Sequence, residues 1–358
     1  MSTLLVMAGG TGGHVFPALA VAKNLRDRGV EVVWLGTRSG LEARTIPAAG
    51  FDIEWINIRG ARGKGLLGWV RTPFLVLAAM VQTMGVVRRR RPGAMLGMGG
   101  FVAGPGGVVS WLLRRPLLIH EANALAGLTN QLLARIATRV MTGFPDTFGT
   151  SVKEEHVGNP VREEIAALAP PRERLRGRSG PLRVLVVGGS QGARALNLEL
   201  PRIFGDLSRR GCDLEIRHQT GSAQRDEVER RYHDLALNAG VEPFIEYMAQ
   251  AYEWADLVLC RAGAMTVAEV SAAGLTAVFV PFPHAAGDHQ TANANYLAKR
   301  GAAYMVPENR LGERLPDIFS DCHANREKLI SMAEKARALA KPDATGIVAD
   351  ICMESLSA

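Results

Sequence analysis

The segment MAGGTGGHVFPA, residues 7–18, sets four glycines, Thr11 and His14 at the exit of an apolar run. A glycine-rich turn between a strand and a helix is the sequence form of an anion site. Without Cβ atoms the backbone turns sharply and approaches a ligand closely, and the helix start offers N–H groups with no partner of their own. His14 adds an imidazole that can take up a proton near neutral pH. Taken alone, it could as well be a helix-start histidine bonded to backbone. Two further segments have the same form. GMGGFVAGPGG (97–107) follows the apolar AML, and GGSQGAR (188–194) follows VLVV, with Ser190 placed to add a hydroxyl to the backbone donors around a pyrophosphate. One such turn could be a tight connection and nothing more. Three of them, each after a strand, predict a phosphate-binding cleft.

A dinucleotide fingerprint requires G-x-G-x-x-G and an acidic residue at the end of the second strand. From Gly10 the chain offers Gly10, Gly12 and then Val15, and the second strand ends WLGTR, with Gly36 and Thr37 at the acid's place. Both departures argue against NAD.

The elements that must carry these turns alternate along the chain, which predicts a parallel α/β architecture. TLLVMAGG reads as a strand, HVFPALAVAKNLRDRG as a helix with Pro17 in its first turn and Gly29 at its end, and VEVVWLG as the next strand. The pattern restarts at residue 182, about 180 positions after the first turn, so two similar nucleotide-fold halves are expected. LAPPRERLRGRSGP (168–181), rich in Pro, Gly and Arg, reads as the linker. A length of 358 residues suits two domains, and 47% hydrophobic with 22% charged residues suits a globular chain. The four cysteines stand far apart with no C-x-x-C pair, as buried thiols of a reducing cytosol do. The amino terminus has no charged region ahead of its apolar run and is not read as a signal peptide.

Charge is uneven. Residues 1–160 hold 18 Lys and Arg against 9 Asp and Glu, and the rest holds 24 against 26. A basic first half can face nucleic acid, an anionic membrane or a phosphorylated substrate. Nucleic acid is disfavoured by the absence of a binding motif, the low aromatic content and the acidic second half. GLLGWVRTPFLVLAAMVQTMGVVRRRRP (65–92) has an uncharged core too short to span a bilayer. It reads either as a buried helix with a solvated basic end, or as an apolar patch of Trp69, Phe74 and Leu75 near Arg88, Arg89, Arg90 and Arg91 that rests on anionic lipid.

Seven segments in order, GGTGGH (9–14), GMGGFVAGP (97–105), HEANALAGLTN (120–130), GNPVR (158–162), GGSQGAR (188–194), CRAGAMTVAE (260–269) and PFPHAAGDHQTANA (281–294), closely resemble the MurG family of bacterial cell-wall transferases. The resemblance implies the GT-B architecture, two Rossmann-like domains facing across a deep cleft. The expected domains are 1–163, joined by a terminal helix 343–358, for the acceptor and membrane side, and 164–342 for the UDP-GlcNAc donor. The implied reaction moves N-acetylglucosamine from UDP to the 4-hydroxyl of the muramoyl sugar of undecaprenyl-linked lipid I, with inversion, at the cytoplasmic face of the inner membrane. It favours the lipid-facing reading of 65–92 and adds cell-wall synthesis proteins as partners.

Carried onto this chain, His14 is the base expected at the acceptor, with Glu121 as its rival and Thr11, Gly12 and Gly13 shaping the junction. Ser190 and Arg162 would meet the departing phosphates. Ala264, Met265 and Thr266 would line the nucleotide pocket, Ile245 would present backbone to uracil, and Asn123 and Gln290 would bind sugar. Glu269 would accept from the ribose hydroxyls, although Thr266-Val-Ala-Glu269 also reads as a helix capping box. The chain has no D-x-D motif, so no protein-held metal and no tightly bound cofactor are expected. Rival readings are a GT-B enzyme with another acceptor, a UDP-sugar epimerase, and a nucleotide-sugar-binding or membrane scaffold without turnover.

Overall fold

The structure is a computed structural model that describes residues 3–58, 65–189, 192–283 and 286–357, without the side chains of 65–71 and 286. The chain divides into two compact units, residues 1–161 with 341–358, and residues 162–340.

The first unit is built on strands β1 (Thr3–Ala8), β2 (Glu31–Gly36), β3 (Asp52–Trp55), β4 (Ala94–Gly99), β5 (Leu117–Glu121), β6 (Arg139–Thr142) and β7 (Glu155–His156). They form one parallel sheet in the order β3-β2-β1-β4-β5-β6-β7. β1 and β4 are buried along their whole length because helices cover both faces of the sheet, which is why they read as unbroken apolar runs rather than alternating ones. The helix Gly12–Asp27 follows β1 and lays Val15, Ala18, Val21, Ala22 and Leu25 on the sheet. It begins two residues before the histidine, so Pro17 stands in its second turn, not its first. The terminal helix Ala344–Ser357 packs into the same core through Val348, Ala349, Ile351 and Cys352.

The second unit repeats the plan with β8 (Leu182–Val187), β9 (Leu214–Gln219), β10 (Ala239–Glu242), β11 (Leu257–Cys260), β12 (Thr276–Phe279) and β13 (Tyr304–Met305). They are parallel, in the order β10-β9-β8-β11-β12-β13. Chain order therefore reverses direction between β1 and β4 in one sheet and between β8 and β11 in the other. At such a switch point the connections leave in opposite directions and open a crevice at the carboxyl ends of the strands.

The linker reading of 168–181 does not hold. Pro171 opens a short helix, Pro171–Leu175, and two of the segment's four arginines are anchored to backbone and carboxylate within the second unit. Arg174 donates to the carbonyls of Ala273 (2.8 Å) and Gly274 (2.7 Å), and Arg178 to Asp256 Oδ1 (2.9 Å) and the Trp254 carbonyl (2.8 Å). The segment's Pro, Gly and Arg content marks a linker, whereas Pro171, Arg174 and Arg178 open a helix, cap another and pair charge.

Helix Gly65–Arg90 corrects a second expectation. It is continuous, so Phe74 and Arg88 stand about 20 Å apart along its axis and form two patches, not one. Phe74 (71% exposed), Leu77 (59%) and Val81 (65%) share one outward face, with Leu75 beside them. Ala79, Val86 and Val87 are buried in the core. Arg89 and Arg90 are engaged by Glu54 at 2.5 and 2.7 Å, and Arg90 also by Asp52, which leaves Arg88 and Arg91 as the exposed ends of the basic run. The side chain of Trp69 lies outside the described residues. Among the described residues no helix is long and apolar enough to cross a membrane.

Candidate functional site

In the first unit the site forms where β1 and β4 end side by side, with Ala8 opposite Gly99. The chain leaves β1 through Gly9 and Gly10 to Thr11, the N-cap of helix Gly12–Asp27, whose carbonyl accepts from the N–H groups of His14 and Val15 (both 3.1 Å). Thr11 and Gly13 are exposed and Gly12 and His14 half-buried. His14 Nδ1 lies 3.1 Å from the Met98 carbonyl at the end of β4. A carbonyl only accepts, so Nδ1 carries the hydrogen and Nε2 the lone pair. The loop after β4 fits tightly against this corner. Gly100, at φ +85°, passes so close that a Cβ there would stand 2.3 Å from the Gly9 carbonyl oxygen, and a Cβ on Gly99 would meet the His14 ring at 2.3 Å.

Glu121, at the end of β5, is 4% exposed. Its Oε1 accepts from the N–H and Nδ2 of Asn123 (2.9 and 3.1 Å), and its Oε2 from the Gly127 N–H (3.1 Å) and Asn130 Nδ2 (2.9 Å). The carboxylate thus folds the 121–130 loop around itself, with Asn123 as one of its donors. His120 is buried beside it and donates through Nε2 to the Gly158 carbonyl (2.8 Å), and burial lowers its pKa.

Nothing in the sequence pattern marked Glu42. Its side chain is fully buried beneath the first turn, where Oε2 accepts from the Gly10 N–H (2.9 Å) and Oε1 from the N–H and hydroxyl of Thr37 (3.0 and 2.8 Å). The acid missing from the end of the second strand is supplied from the next helix, Glu42–Ala48, and it points at the turn.

In the second unit the turn after β8 runs into helix Arg194–Arg209. Ser190 lies outside the described residues. Gly192, at φ +76°, approaches β9 so closely that a Cβ would stand 1.9 Å from the Thr220 carbonyl oxygen. A neutral polar network supports this contact. Asn197 Nδ2 donates to Thr220 O (2.9 Å) and Gln224 Oε1 (3.0 Å), and Asn197 Oδ1 accepts from His218 Nε2 (3.1 Å). His218 Nδ1 then accepts from the Tyr232 hydroxyl (2.9 Å). Burial drives the His218 pKa down to about 3, so it is neutral at ordinary pH. Gln219 Nε2 reaches back to the Gly189 carbonyl (3.0 Å). The available signal for this network was HQT, polar residues closing an otherwise apolar strand.

After β11 the chain enters helix Ala264–Ala273 with Gly263 as its N-cap, so Ala264, Met265 and Thr266 form the first turn. The capping box does not form: Thr266 lies inside the helix, and no side chain caps its start. Glu269 is 13% exposed and faces Arg162, which donates through Nε and Nη2 to Oε1 (3.0 and 2.9 Å). Tyr252 donates its hydroxyl to Oε2 (3.5 Å). Burial raises the Glu269 pKa while Arg162 and Tyr252 oppose it. Arg162, expected on phosphate, is thus placed on this carboxylate. Ile245 is buried in the loop after β10, not in a strand, between exposed Phe244 and Tyr247. The Gln290 carboxamide oxygen accepts from the Phe282 N–H (2.9 Å). Among the described residues no group of His, Cys, Asp and Glu could hold a metal ion.

Residues 4–142 match the N-terminal domain of glycosyltransferase family 28, and residues 183–346 match its C-terminal domain. A relative from Nitrosococcus oceani, named UDP-N-acetylglucosamine–N-acetylmuramyl-(pentapeptide) pyrophosphoryl-undecaprenol N-acetylglucosamine transferase, is 52% identical over 99% of both chains. One of the same name from Alkalilimnicola ehrlichii is 51% identical over 98% of both. Among solved structures, Acinetobacter baumannii MurG superposes with a TM-score of 0.87 at 43% identity, covering 99% of this chain and 100% of that one. S. aureus MnaA, solved with UDP, gives a TM-score of 0.68 at 11% identity over 100% of this chain and 97% of that one, a likeness of fold.

Proposed function

Because this chain belongs to glycosyltransferase family 28 and, within it, to the MurG transferases, a GT-B family, we propose how its residues divide the reaction. The enzyme transfers N-acetylglucosamine from UDP to lipid I, forming lipid II. The first unit reads the acceptor and the second holds the donor.

His14 carries this reading. With its hydrogen held on Nδ1 by Met98, the imidazole offers Nε2 as the basic atom at the β1–β4 switch point. Nε2 takes the proton of the muramoyl 4-hydroxyl as that oxygen bonds to the anomeric carbon of N-acetylglucosamine. The bond from that carbon to the UDP oxygen breaks, UDP leaves with the electron pair, and the anomeric centre inverts. Backbone N–H groups of the 188–194 turn, with the Ser190 hydroxyl, and the first turn Ala264–Thr266 meet the diphosphate, where helix starts stabilise developing negative charge. Glu269 accepts from the ribose hydroxyls, and Arg162 holds that buried carboxyl group in place through Oε1. Ile245 presents backbone to uracil, while Asn123 and Gln290 reach the sugars. Glu121 acts through the loop it folds. Thr11, Gly12 and Gly13 give the acceptor room. The enzyme sits peripherally at the cytoplasmic face of the inner membrane, supported by the exposed apolar face of helix Gly65–Arg90 and the basic first half.

The test is transfer to a lipid I analogue, with UDP-N-acetylglucosamine set against other UDP-sugars and against a reaction lacking acceptor. Acceptor-dependent turnover with the N-acetylglucosamine donor is expected. Conversion of the donor without acceptor would favour an epimerase.

A further inference from the structure

The first glycine turn is filled from within. Its Gly10 N–H, a group that such turns commonly offer to phosphate, is taken by Glu42 Oε2, and the companion oxygen is held by Thr37. The glycines make the room: a Cβ on Gly9 would stand 2.8 Å from Oε1, and one on Gly40 2.0 Å from Oε2. The strand end is pinned too, since the buried Trp34 donates Nε1–H to the Ala8 carbonyl (2.8 Å). On its other side the turn is backed by Gly100, against the Gly9 carbonyl. The turn is therefore clamped between a carboxylate and a second loop, and the helix it launches carries His14.

We propose that Glu42 is a positioning residue for the transfer: its carboxylate stands in for the anion of a phosphate-binding turn, makes that turn a rigid mount, and so sets the place of His14 toward the acceptor hydroxyl. This rests on the reading of His14 as the group that handles the acceptor. It also gives the turn a different task from its counterpart after β8, because the donor that would face a diphosphate oxygen is already used. A shift of about 1 Å in a group that transfers a proton costs on the order of a hundredfold in rate. The effect should therefore appear in catalysis and acceptor use, not in donor binding.

The experiment compares full-length wild type, Glu42→Gln and Thr37→Val. Glutamine keeps the shape but turns one acceptor oxygen into an N–H₂ group that faces donors, while Thr37→Val removes one donor of three and covers the case in which Glu42→Gln does not fold. We expect kcat to fall at least about tenfold in Glu42→Gln and a few-fold in Thr37→Val, with a raised acceptor KM. The KM for UDP-N-acetylglucosamine and the circular dichroism should be unchanged. Wild-type kcat and acceptor KM in a folded variant would overturn the proposal, as would a parallel rise in the donor KM, which would mark a general structural role. His14→Ala is run alongside. If it transfers normally, the reading of His14 falls and takes this proposal with it; if it is inactive while both other variants are normal, only the proposal about Glu42 falls.

Discussion

The glycine turn after β1 and the one after β8 occupy equivalent places in two parallel sheets, yet they are supported by opposite means. The first encloses a buried carboxylate that uses the Gly10 N–H. The second is held through the Thr220 carbonyl by Asn197 and a neutral His218, so no anion of the protein sits among the described donors of that turn. The lesson is that a glycine turn after a strand is an anion site only if its N–H groups are left for a ligand. On the proposed reading, the same motif mounts a catalytic side chain in one half and cradles phosphate in the other.

The sharpest way to break this contrast is His14→Ala. Loss of a general base should lower transfer by about 10²- to 10⁴-fold while titration of UDP-N-acetylglucosamine gives the wild-type affinity. Transfer at the wild-type rate would remove His14 from the chemistry.

A pair of glycine substitutions comes next. Gly192→Ala and Gly100→Ala each force a Cβ into a backbone oxygen at positive φ, a strain of about 1–3 kcal/mol before the clash is counted. Gly192→Ala should raise the KM for UDP-N-acetylglucosamine at least about tenfold. Gly100→Ala should depress kcat and leave donor binding alone. Exchanged phenotypes would refute the division of labour.

Smaller, and confined to the second turn's support, is a pH effect. His218 titrates near 3 in the folded chain against about 6.5 unfolded, so its contribution is present above pH 6.5 and is lost as the pH falls toward 3. Between pH 7 and 5 this amounts to ~2 kcal/mol. Thermal melts of wild type should lose midpoint over that range more steeply than those of His218→Gln. His120, lowered in the same direction, contributes equally to both proteins. Identical slopes would show that His218 is not the buried neutral group described.

The least effect is expected at the basic end of helix Gly65–Arg90. Removing the two outer arginines in Arg88→Ser/Arg91→Ser should weaken binding to anionic vesicles by up to about 1 kcal/mol per residue. Arg89→Ser/Arg90→Ser should weaken it less, because Glu54 and Asp52 already pair with those charges. Equal losses, read by vesicle sedimentation, would contradict that pairing.

Much of this was legible beforehand. Unbroken apolar strands alternating with helical spacing announced two parallel sheets, since burial on both faces leaves no room for polar alternation. The turns at 9–14, 97–107 and 188–194 were visible because glycine and chain order mark them. Glu42, Asn197 and His218 were not, because each acts on groups brought to it from another part of the chain, and no local spacing records that. The 168–181 segment misled for a related reason: Arg174 and Arg178 are polar in composition but half-buried and bonded in place.

The sequence by itself determined the alternating architecture, the family and the identity of the groups able to do chemistry, all of which are written in residue type and order. Only the tertiary structure decided which nitrogen of His14 keeps its proton, that Glu269 is held by Arg162 rather than capping its own helix, and that the first turn closes on Glu42. Those outcomes depend on which donors and acceptors folding brings within 3 Å of one another, and the strand order that does so is a property of the sheet, not of any segment in it.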